Sequence, residues 1–155
     1  MEIKRDQYLN QLIEKKNNGL IKVITGLRRS GKSYLLNVLF KKHLKDNEIT
    51  DSQIISFAFD KMEDIMKLDK YLPNEDTLIL DSKKNYLVNS KKFILYIKDL
   101  TSSDDKFYLL LDEIQLLDKF VMTLNSFLSH DNYDVYVTGS NSKMLSKDVI
   151  TEFRG

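Results

Sequence analysis

A chain of 155 residues that is 42% hydrophobic and 30% charged, with one proline and five glycines, can bury a real core and is neither disordered nor collagen-like. It has no cysteine, which excludes disulfides and thiolate metal centres, and no run of 18 apolar residues that would cross a bilayer. The net charge of +1 conceals an asymmetry: residues 1–45 hold eleven Lys/Arg against three Asp/Glu, and the rest hold thirteen against twenty.

A basic N-terminal third raises nucleic acid as a partner; the alternative is that Lys15, Lys16, Lys41, Lys42 and Lys45 occupy solvated helix faces. The opening MEIKRDQYLN lacks the apolar core of a signal peptide, so a cytoplasmic location and no membrane partner are expected. In chain order, Asp6 is expected to cap a helix whose apolar positions are Tyr8, Leu9, Leu12 and Ile13, ended by Asn17-Asn18-Gly19. LIKVIT (Leu20–Thr25) reads as a short buried strand, and GLRRSGKS follows at once. A second helix is expected from Lys32, with Leu35, Leu36, Leu39, Phe40 and Leu44 on one side.

QIISFAF (Gln53–Phe59) is the next strand. In residues 61–89, TLIL and NYLV flank DSKK and form either a hairpin or an irregular, partly helical stretch. Ser90 is expected to cap a helix through Phe93, Ile94, Ile97 and Leu100. KFYLLLDE then reads as a strand running into acids, Phe120–Leu128 as an amphipathic helix, and DVYVTGSN as a strand ending in small polar residues. A short helix is placed at Ser142–Ser146. Strands alternating with helices predict an α/β, three-layer fold, with a mostly parallel sheet covered by helices on both faces. In such sheets ligands bind beyond the carboxyl ends of the strands. Three strands here end in chemically capable residues.

GLRRSGKS satisfies G-x-x-x-x-G-K-[ST], the loop that cradles nucleotide phosphates. Gly26 permits the sharp exit from the strand, and Gly31 lets backbone approach a phosphate unobstructed. Backbone N–H groups along Leu27, Arg28, Arg29, Ser30 and Tyr34 supply donors at the start of a helix. Lys32 is expected to reach the β- and γ-phosphates and Ser33 to ligate Mg²⁺. Arg28 and Arg29 either help neutralise phosphates or face solvent.

FYLLLDE supplies the complementary half. Asp112 at the strand end is expected to hold Mg²⁺, and Glu113 to orient or deprotonate an attacking water. An Asp-Glu pair suits hydrolysis better than small-molecule phosphoryl transfer. Ser140 and Asn141 are candidates for the γ-phosphate or that water, with a plain turn as the alternative. His43 and His130 read as surface histidines with no third ligand. Asp60 is expected to be solvated, and Arg5 and Tyr8 are candidates for base contact. No N-K-x-D segment supports a GTPase, and no D-x-x-G follows the second strand.

The chain resembles bacterial and archaeal AAA-type P-loop ATPases, in which an N-terminal ATPase domain precedes a poorly characterised C-terminal domain. The resemblance is carried by IKRDQYLNQLI, VITGLRRSGKS, YLLLDEIQ with Phe120 after it, VYVTGSNSKMLS and TEFRG. It implies an extra strand between the P-loop strand and the Asp-Glu strand. It also implies ATP and Mg²⁺ as ligands, catalytic roles for Lys32, Glu113, Ser140 and Asn141, and Ser33 and Asp112 at the metal. On that resemblance residues 1–155 form one P-loop ATPase domain excised from a longer protein, with a homo-oligomer possible. In the family a further arginine follows the segment matching TEFRG, so Arg154 leaves the arginine finger unassigned.

Overall fold

The computed structural model describes residues 2–25, 29–139 and 150–153. Its centre is a five-stranded sheet of β1 (Ile21–Ile24), β2 (Ile54–Ala58), β5 (Phe107–Asp112), β6 (Tyr133–Thr138) and β7 (Ile150–Phe153), in the order β2-β5-β6-β1-β7. All four neighbouring pairs are parallel. β6 therefore separates β1 from β5, which is the inserted strand that the resemblance implies. Every residue of β1 and β5 is buried, the pattern of a parallel sheet covered on both faces.

Strand alternation divides the core in two. Odd-numbered positions of β5 and β6, such as Phe107, Leu109, Leu111, Val135 and Val137, pack under α5 (Ser90–Leu100) and α6 (Phe120–Leu128). An aromatic group of Phe57, Phe59 and Phe93, with centroids 4.7–5.0 Å apart, anchors that layer. Even-numbered positions, including Tyr108, Leu110 and Tyr136, face α1 (Glu2–Glu14) and the helical run that begins at α2. That run passes from α2 (Arg29–Tyr34) through a π-helical stretch, Leu35–Phe40, into α3 (Lys41–Asp46). At the stretch's end the Lys41 N–H bonds to the Leu36 carbonyl, five residues back. Leu35, Leu36, Phe40 and Leu44 are all fully buried against the sheet.

Three helix expectations need correction, whereas the hairpin expected of TLIL and NYLV is found. Asp6 lies inside α1 rather than capping it. The helix after the glycine loop starts at Arg29, not Lys32. The cap of α5 is Asn89, whose Oδ1 accepts from the N–H groups of Lys91 and Lys92 at 3.0 and 3.4 Å; Ser90 is the first helical residue. Residues 61–89 resolve into a short helix, α4 (Met62–Met66), and an antiparallel hairpin of β3 (Leu78–Leu80) with β4 (Tyr86–Val88). Edge strand β7 has no counterpart in the sequence reading, and the expected helix at Ser142–Ser146 lies outside the described residues. Asn17 and Gly19, at φ 61° and 81°, make the left-handed stop after α1.

Candidate nucleotide site at the carboxyl edge of the sheet

Alternation also decides which side chains meet. Asp112 and Thr138 are even-numbered, so both extend to the face occupied by α2. The Thr138 hydroxyl donates to Asp112 Oδ1 and accepts the Glu113 N–H at 2.9 Å. One buried hydroxyl thus ties the last residue of β6 to both acids. One residue further on, the Gly139 carbonyl accepts from Lys32 Nζ at 2.9 Å. Lys32 and Asp112 therefore lie on the same rim, linked through Thr138-Gly139.

Lys32, Asp112 and Glu113 are 3%, 5% and 8% exposed. No described carboxylate lies within ion-pairing distance of Lys32; its described partner is a neutral carbonyl. A buried ammonium without a counter-ion is costly, and an anion arriving beside it relieves that cost. Glu113 adopts left-handed backbone, φ 57° and ψ 53°, which takes it off the line of β5. That conformation costs a non-glycine residue about 1–3 kcal/mol and persists only where surrounding bonds hold it. Here Thr138 holds its N–H, and Gln115 Nε2 donates to its Oε1 at 2.7 Å.

Ser33 stands half-buried on α2, its Oγ accepting from Asn37 Nδ2 at 3.3 Å. The Thr25 hydroxyl, at the exit of β1, is buried without a hydrogen-bond partner. The donor set fits a nucleotide with Mg²⁺: a serine hydroxyl and a carboxylate are hard oxygen ligands, and an ammonium pairs with phosphate. Among the described residues no group of three or more His, Cys, Asp or Glu could hold a metal by itself.

Gly31 and Tyr34 lie on α2 with Lys32 and Ser33, and Arg29 and Ser30 enter as its first backbone turn. Gly26, Leu27, Arg28, Ser140, Asn141 and Arg154 lie outside the described residues. Tyr8 is buried in the core cluster beneath the sheet and is not presented to a base, which corrects that expectation. His43 contacts Lys16 Nζ at 3.1 Å, and His130 stacks on Tyr133 at 4.5 Å. Asp60 is exposed. The sequence places Thr138 at a strand end that carries chemistry without giving it a role, and it does not single out Gln115; the signal for Thr138 is its parity with Asp112, two positions beyond buried Tyr136.

Sequence reading passed over a second polar network. Lys22, fully buried in β1, pairs with Asp134 Oδ1 at 2.5 Å and donates to Asn18 Oδ1 at 3.0 Å. Asp134 Oδ2 also accepts from Tyr136 Oη and from the Asn17 N–H. Burial pulls the Lys22 ammonium below its ordinary range despite the carboxylate, and burial beside Asp134 pushes the Tyr136 phenol up.

Comparison with known proteins agrees with this geometry. Residues 18–155 match the family model described as AAA domain, and the chain belongs to that family. It is 31% identical over 154 residues to an uncharacterised protein of Haemophilus influenzae, covering 99% of this chain and 33% of that protein. It is 32% identical over 139 residues to an uncharacterised protein of Methanocaldococcus jannaschii, covering 87% of this chain and 24% of that one. The chain thus spans a third or less of the curated relatives it matches. Among solved structures it is similar to a DNA polymerase III gamma subunit-related protein of Thermotoga maritima. The TM-score is 0.59 at 12% identity, over 96% of this chain and 45% of that one, a likeness of fold. Family and fold together make the chain a nucleotide-binding, ATPase-like module of the P-loop class. No helix among the described residues is long and apolar enough to cross a membrane.

Proposed function

We propose that the chain binds ATP with Mg²⁺ at this edge and hydrolyses it, driving or gating a conformational change in a partner or a further region of the protein. The observation that carries the reading is buried Lys32, whose partner among the described residues is a neutral carbonyl, linked through Thr138-Gly139 to two buried carboxylates. Lys32 takes the β- and γ-phosphates, and Gly26, Leu27, Arg28, Arg29, Ser30, Gly31 and Tyr34 contribute the surrounding cradle. Ser33 and Asp112 hold the metal, which when bound neutralises developing phosphate charge. Glu113 takes a proton from the attacking water, and Gln115 orients its carboxylate by occupying one oxygen. Ser140 and Asn141 act at the γ-phosphate. Thr138 fixes the separation of the two acids.

The test is a pair of variants assayed for binding and turnover. Lys32→Ala abolishes ATP binding, whereas Glu113→Gln binds ATP and does not hydrolyse it. Wild-type turnover in Glu113→Gln removes the assigned base. The second reading, a nucleotide-dependent scaffold or nucleic-acid-binding module with little hydrolysis, is favoured by the basic first 45 residues.

A further inference from the structure

An open groove of about 470 Å³ lies between the helical run and the carboxyl end of β2, beginning at Ser33 and leading away from the phosphate loop. Ser33, Asn37 and Lys41 line it at intervals of four residues along the helical run, with Asn37 Nδ2 donating to the Ser33 hydroxyl. Opposite them stand Ser56 and Lys61. The Ser56 hydroxyl is buried and has no hydrogen-bond partner. Neither Lys41 nor Lys61 forms an ion pair with a described carboxylate, whereas Lys42, Lys45 and Lys67 on the same two segments each do. Asp64, the one acid among the described lining residues, is already engaged by Lys67 Nζ and by the Ala58 N–H.

Beside the donors runs an apolar rim of Tyr34 and Val38, which remain 41% and 45% exposed. Two lysines outside any described ion pair, next to an aromatic ring and an aliphatic side chain, match a ligand that alternates phosphates with planar bases. The groove is open along its length, so it suits a polymer laid through it better than a small molecule enclosed on all sides. Bases reach the rim only when unpaired, because a duplex stacks their faces inside itself.

We propose that this groove binds a single strand of nucleic acid, with Lys41 and Lys61 on successive phosphates and a base against Tyr34 and Val38. The inference rests on the reading of Ser33 as the metal-side edge of an ATP site only for its consequence: a strand there would adjoin the γ-phosphate. Strand binding itself stands without hydrolysis.

The experiment is fluorescence anisotropy with labelled oligo-dT and oligo-U, at several salt concentrations, with and without a non-hydrolysable ATP analogue and Mg²⁺. The Lys41→Glu/Lys61→Glu variant is compared with Lys98→Glu/Lys119→Glu, which reverses two lysines away from the groove. Expected is a loss of tenfold or more in strand affinity for the groove variant alone. Its salt slope should fall by about 1.4, the share of two phosphates on a single strand. Calorimetric affinity for ATP should be unchanged in both variants, which separates this proposal from the ATP reading. Equal losses in the two variants, preference for duplex, binding of mononucleotides but not strands, or no strand binding at low salt would each overturn it.

Discussion

Lys22 and Lys32 are both buried, at 0% and 3% exposure, and both reach β6 from β1 or the helix just after it. Their described partners differ in kind. At the amino end of β6, Lys22 has a carboxylate at 2.5 Å, and that carboxylate collects two further donors. At the carboxyl end, Lys32 has a carbonyl. The first site satisfies itself and so contributes to holding α1 and the turn at Asn17 against the sheet. The second leaves a charge for a ligand to meet. Burial and a neutral partner alone distinguish nothing, since Lys92 is also buried and bonded to the Thr77 hydroxyl; what sets Lys32 apart is its place in the phosphate-loop pattern at the carboxyl edge of the sheet.

Breaking the closed site should produce the largest effect. Asp134→Asn leaves the Lys22 ammonium buried without its carboxylate, and loss of one partner of a buried pair costs about 3–5 kcal/mol. For a domain this size that is a fall in Tm on the order of 10 °C. Urea denaturation checks the size, and ATP binding measured below the new Tm should persist. A mild loss of stability would mean that Lys22, already lowered by burial, sheds its proton once Asp134 is gone, and that the pair is not what holds this end of the sheet.

The open site should respond in the reverse sense. Lys32→Met removes a buried charge with no counter-ion among the described residues, so the nucleotide-free protein should be no less stable than the original. What disappears is stabilisation by ligand, about 2.7 kcal/mol at an ATP concentration of 100 Kd. Thermal shifts with and without ATP and Mg²⁺ read both quantities. A large loss of stability without nucleotide would show that Lys32, like Lys22, is a structural cation, and the contrast would fail.

Thr138 sharpens the comparison because it sits at the open end yet works within the protein. Thr138→Val orphans the Glu113 N–H and frees the Asp112 carboxylate, at about 1–3 kcal/mol for the buried donor left unmet. Hydrolysis should fall and its Mg²⁺ requirement rise, while Thr138→Ser restores both. Rescue by serine separates positioning by the hydroxyl from packing by the methyl group.

The open site was far more legible in the sequence than the closed one. Phosphate chemistry fixes residue types at fixed spacing, so Gly26, Gly31, Lys32 and Ser33 announce themselves within eight residues. Asp112 and Glu113 follow because an apolar strand running into acids is conspicuous. Lys22 and Asp134 are 112 positions apart, and a lysine inside LIKVIT carries no sign of the carboxylate that faces it across the sheet. Their meeting depends on strand order, and β6 lies beside β1 only because the chain passes β5 first and then inserts. Edge strand β7 was missed for a related reason: ITEF is short and lacks an alternating pattern, and pairing with β1 makes it a strand. The α5 cap was misplaced by one residue because Asn89 and Ser90 are both good caps and only geometry chooses between them.

The smallest expected effect concerns His43, which packs beside Phe40 and faces Lys16 and Asp46 on the basic side of the molecule. Burial, and then the Lys16 charge, hold its imidazole below the ordinary 6.5, with Asp46 opposing. The unfolded chain therefore binds a proton at His43 more readily than the folded one. Stability should decline as pH falls through 6.5, and the whole penalty is present once pH is below the folded value. Neither lysine at the β6 ends takes part, so the change is confined to the helix surface. His43→Asn removes this acid-side slope. Urea midpoints of both proteins at pH 7.5 and pH 5 should show the original losing ground to the variant on acidification. A gap independent of pH would mean that His43 is as freely protonated in the fold as in the open chain.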